Sequence, residues 1–84
     1  MARRDRGRAH VSRLPRVTAR EALAAMERAG FKIVRASGSH HHLSKRGHPG
    51  IVTVPLHGGT LEVGLLHSIL RQAGLTPEEF QALL

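Results

Sequence analysis

Ser37 to Pro55 reads SGSHHHLSKRGHPGIVTVP and holds four of the chain's seven histidines, with His40, His41 and His42 consecutive. Neutral imidazole is a common ligand for zinc, copper and nickel. On a strand, however, side chains alternate faces, so His40 and His42 share one side and His41 takes the other. A metal would need further ligands from elsewhere, such as His48 or His57. The chain has no cysteine and no HExxH motif, so no metal or other cofactor is expected.

Acid–base chemistry asks for less. An imidazole that ionises near neutral pH can take a proton from the 2′-OH of RNA, which carries its own nucleophile. General-base help of this kind is worth about 10²–10⁴-fold. Between residues 32 and 46 stand Lys32, Arg35, Lys45 and Arg46, with no acid among them. Such cations can hold phosphates and stabilise charge as it develops there. Gly38 and Ser39 precede the histidines in a turn that brings backbone and a hydroxyl close to a ligand. The plainer alternative is a polar strand with ordinary solvated charges.

The elements that must position these residues are legible. Thr18-Ala19-Arg20-Glu21 has capping-box spacing, and an Ala/Leu/Met-rich run follows as far as Gly30, predicting a helix over 19–29. FKIVRA (31–36), HHHLS (40–44) and IVTVP (51–55) read as strands. Turns at 37–39 and 45–50 make them an antiparallel meander. LHGGT (56–60) is a loop. A second helix is expected from Leu61 or Glu62 to Ala73, closed by Gly74. Leu75-Thr76-Pro77-Glu78-Glu79-Phe80 starts a third, with Thr76 as N-cap and a Leu75–Phe80 staple. The expected fold class is α+β in the order α-β-β-β-α-α, with a three-stranded antiparallel sheet and helices on one face, the layout of double-stranded-RNA-binding domains.

The net charge of +7 is unevenly spread. Residues 1–16 carry six arginines against Asp5, whereas residues 17–84 carry seven Lys/Arg against five acids. Residues 1–13 are read as a basic, disordered extension with a non-specific taste for polyanions, and residues 14–84 as the folded domain. No apolar run is long enough to span a membrane, and a soluble cytoplasmic protein is the expectation.

AGFKIVRASGSHHHL, then VTVP and HGG, then LHSILRQAGLTPEEFQALL resembles the HicA (YcfA-like) toxin family, over residues 14–84. The resemblance rests on the Gly-Ser-His-His motif, the Val-Thr-Val-Pro strand and the SILRQAGL helix in this order. It implies a metal-independent mRNA interferase of a type II toxin–antitoxin system, neutralised by a HicB-type antitoxin. It also implies one catalytic histidine in the Gly-Ser-His segment. That residue is His40, with His41 as the alternative where members read Gly-Ser-Asn-His. Gly38, Ser39, Lys32, Arg35, Lys45 and Arg46 are the candidate RNA-binding residues. A non-catalytic RNA-binding module of the same fold is the competing reading. This chain departs from the family in having Gly64-Leu65-Leu66 where many members carry Gly-Thr-Leu. The missing Thr would remove a helix N-cap worth about 1 kcal/mol. Two Phe and no Tyr or Trp argue against recognition by base stacking.

Overall fold

The computed structural model describes residues 14–84; the basic extension over 1–13 lies outside the described residues. Helix α1 spans Ala19–Arg28. Its capping box is formed: the Thr18 hydroxyl accepts the Glu21 N–H at 3.1 Å and the Glu21 carboxylate accepts the Thr18 N–H at 2.8 Å. Four orphan donors at a helix start need such partners, and two are supplied here.

Three antiparallel strands follow in spatial order: β1 Lys32–Ser37, β2 His40–Lys45 and β3 His48–Pro55. The first connection is a two-residue turn at Gly38–Ser39, with Gly38 at φ 61°. A positive φ at the first turn position and a negative one at the second is the type II′ pattern that suits strand twist. The second connection is tighter than the sequence suggests. Rather than turning over 45–50, the chain turns at Arg46–Gly47, and β3 already begins at His48. Leu43 faces Val52 but Lys45 faces His48, so β3 carries extra residues that bulge at Gly50, φ 85°. Pro49 is tolerated because β3 is an edge strand.

Helix α2 spans Val63–Ala73 and ends at Gly74 in the left-handed region. It starts a residue or two later than expected, with Glu62 as N-cap and no side-chain cap bond. Leu65 is therefore the third helical residue, and a Thr there would not be an N-cap. The expectation that its loss removes a cap is corrected on that ground. Helix α3, Pro77–Ala82, begins with a second capping box between Thr76 and Glu79.

The helices cover one face of the sheet. Leu43, Val52 and Val54 meet Ala22 and Met26 of α1 and Leu66 and Ile69 of α2 in a core that contains no charged or polar residue among the described ones. The other face is open: β1 is exposed along its length, and Val34 and Ile51 are 56% and 48% exposed. Among the described residues no helix is long and apolar enough to cross a membrane.

Candidate functional site

Burial of Leu43 fixes the faces of β2. Leu43 faces the helices, so His41 does too, and His40, His42 and Ser44 face the open side. The cross-strand partners agree. His41 stands between Ala36 and buried Val54, whereas His40 stands between Ser37 and Pro55, and His42 between Arg35 and Thr53.

The three imidazoles therefore differ in what they can do. His40 is exposed and makes no hydrogen bond to a described residue. His41 is half-buried, its Nδ1 3.4 Å from the Ser39 carbonyl. His42 is half-buried and its Nδ1 is 3.0 Å from the Thr53 hydroxyl, which leaves only Nε2 free. His40 alone is both accessible and unengaged. It directly follows the Gly38–Ser39 turn.

The candidate cations do not all gather around it. Ile33 faces Leu43 and Arg35 faces His42, so Val34 is an extra residue on β1. That bulge reverses the alternation and puts Arg35 on the open side with His40 and His42. Val34, Arg35, His42 and Ile51 enclose a shallow depression there. Lys32 pairs with Ser44 on the same face, further along the strand. Lys45 and Arg46 lie at the opposite end of β2 from His40, roughly 17 Å away at strand rise. The Lys45 ammonium sits 5.5 Å from the centre of the Phe31 ring. His48 packs edge-on against the same ring at 5.2 Å, and its Nε2–H donates to the Gln72 carbonyl at 2.8 Å.

A second feature escapes the sequence reading. Beyond Pro55 the chain does not leave the hairpin: the Leu56 N–H donates to the Ser39 carbonyl at 2.6 Å. The loop then runs beside the start of α1, anchored by the Thr18–Thr60 bridge and by Leu61 N–H to Val17 carbonyl at 2.8 Å. Thr18, Arg20, Leu56, His57, Gly58 and Gly59 line an open cleft. The signal was present: pairing HHHLS with IVTVP end to end already sets His40 opposite Pro55, two residues before His57.

Among the described residues no three His, Asp or Glu side chains are grouped so as to hold a metal ion. Both phenylalanines are buried, at 2% for Phe31 and 0% for Phe80, so no aromatic ring of that kind is free to stack on a base. A family model described as HicA toxin of bacterial toxin–antitoxin matches residues 19–75, from α1 past the end of α2. No curated protein matches the chain.

Proposed function

The chain belongs to the HicA toxin family of bacterial toxin–antitoxin systems, and on that premise we propose that it is a metal-independent endoribonuclease acting on mRNA. His40 is the general base. It removes the 2′-OH proton, the 2′-oxygen attacks the adjacent phosphorus, and the P–O5′ bond breaks to leave a 2′,3′-cyclic phosphate and a 5′-OH. The Gly38–Ser39 turn holds the scissile phosphate close to His40. Arg35 neutralises it from the same face, while Lys32, Lys45 and Arg46 follow the strand away from His40, toward the far end of β2. His41 is the alternative base, disfavoured by its place beneath the sheet's open face.

The observation that carries this reading is an exposed, unbonded imidazole beside a tight turn, on a sheet face with cations and no acid. A family toxin implies an antitoxin, and we assign that role to a HicB-type protein that covers the open face around His40. The protein works where mRNA is, in the cytoplasm.

The test is incubation of the folded protein with labelled RNA in EDTA. Cleavage that His40→Ala abolishes supports the reading. Intact RNA of shifted mobility would instead establish a non-catalytic RNA-binding module.

A further inference from the structure

Breaking the P–O5′ bond leaves an alkoxide that must be protonated, and a base alone does not supply that proton. The groups able to do so near the hairpin are few. Glu21 spends its carboxylate on the Thr18 N–H. His41 and His42 are half-buried, and His48 pairs with Lys45 at the far end of the hairpin from His40. His67 lies on α2, outside the cleft, and no carboxylate lines the cleft.

His57 is different. It is exposed, in the loop that Leu56 pins to the Ser39 carbonyl. Pro55 is the cross-strand partner of His40. Paired Cα atoms lie about 5 Å apart and each further residue adds at most about 3.8 Å. The His57 Cα is thus no more than about 13 Å from that of His40, which keeps both residues at the same end of the sheet. The His57 Nδ1 lies 3.4 Å from the Gly58 carbonyl, and its Nε2 makes no hydrogen bond to a described residue. Arg20 lines the same cleft and makes no hydrogen bond to a described residue, so a cation stands ready for the phosphate.

We propose that His57 is the general acid of the RNA cleavage, donating its Nε2 proton to the departing 5′-oxygen while His40 takes the proton of the 2′-OH. This rests on the ribonuclease reading above. The atoms balance: O2′–P forms, P–O5′ breaks, one proton moves from O2′ to His40 and another from His57 to O5′. Water later returns both imidazoles to their starting states.

A substrate whose leaving group needs no proton separates this role from binding. RNA with sulfur in place of the bridging 5′-oxygen at the cleavage site departs as a thiolate. With full-length protein, His57→Ala and His57→Gln are expected to cleave ordinary RNA about 10²-fold or more slowly, yet to cleave the 5′-thio RNA near the wild-type rate. His40→Ala is expected to be slow on both. His57 variants that cleave ordinary RNA normally, or that are equally slow on both substrates while melting like the wild type, overturn the assignment. Wild-type protein inert on both substrates overturns the ribonuclease reading itself, and the assignment with it.

Discussion

Arg35 stands directly opposite His42 on the open face of the sheet, and the extra residue at Val34 is what puts it there. Strict alternation from Ile33, which faces buried Leu43, would have turned Arg35 toward the helices. The bulge instead places a guanidinium on the face that carries His40. The Arg35 guanidinium makes no hydrogen bond or ion pair with a described residue, so its donors are free for an anion.

Arg35→Ala should therefore weaken RNA binding in a salt-dependent way. Losing one phosphate contact is expected to lower the slope of log affinity against log salt by about 0.7, the single-strand value per contact. Arg35→Lys keeps the charge and should keep the slope. A titration of binding at several salt concentrations measures this. An unchanged slope in Arg35→Ala would remove Arg35 from the interface.

The three consecutive histidines should separate cleanly under substitution. His40→Ala is expected to lose about 10²–10⁴-fold in cleavage rate with an unchanged melting temperature, since the ring is exposed and makes no hydrogen bond to a described residue. His41→Ala faces the helix side beside Val54 and should retain most of the rate. His42→Ala loses the bond to Thr53 and should fall between them. Single-turnover cleavage with saturating protein reads the three rates. A dead His41→Ala beside an active His40→Ala would move the base to His41.

The element order, the caps at Thr18 and Thr76 and the alternation of His40–His42 were legible because each rests on short-range chemistry. A hydroxyl three residues before a carboxylate, a glycine in a turn and a period-two strand are all local signals. The bulges were not legible. Val34 looks like any strand residue, and only pairing with Leu43 and His42 reveals it as extra. The turn drawn over 45–50 failed similarly, because His48 is drawn into β3 by Phe31 and the Gln72 carbonyl, both distant in sequence. The position of His57 depends on the Leu56–Ser39 hydrogen bond, which joins a loop to a turn across the sheet's end.

Caps offer a stability test independent of RNA. Thr76→Ala removes the acceptor for the Glu79 N–H and is expected to cost about 1 kcal/mol, since Thr76 caps the helix that carries buried Phe80. Leu65→Thr, which restores the residue common in the family, should bring no compensating gain. Position 65 is inside α2, and half-buried Leu65 packs against the core there. Urea unfolding of both variants measures the differences. A Leu65→Thr variant more stable than the wild type would show that the hydroxyl does cap the helix.

Lys45 and Arg46 are adjacent cations that the structure uses differently, and paired substitutions should show it. The Lys45 stem lies against Gly30, where an added Cβ would come within 3.3 Å of its Cε, and its ammonium sits over the Phe31 ring. A cation–π contact at an exposed position is worth about 0.5–1 kcal/mol. For a domain of this size, each kcal/mol moves the melting temperature by roughly 4–8 °C. Lys45→Ala should therefore lower the melting temperature by a few degrees, roughly 2–8 °C, whereas Arg46→Ala, in the turn and without a described partner, should leave it unchanged. Both lie at the far end of β2 from His40. Removing either should raise KM and spare kcat, because a contact equally strong in ground and transition states affects binding alone. A fall in kcat with an unchanged melting temperature for Lys45→Ala would mean that RNA draws this side chain off Phe31 and into the reaction.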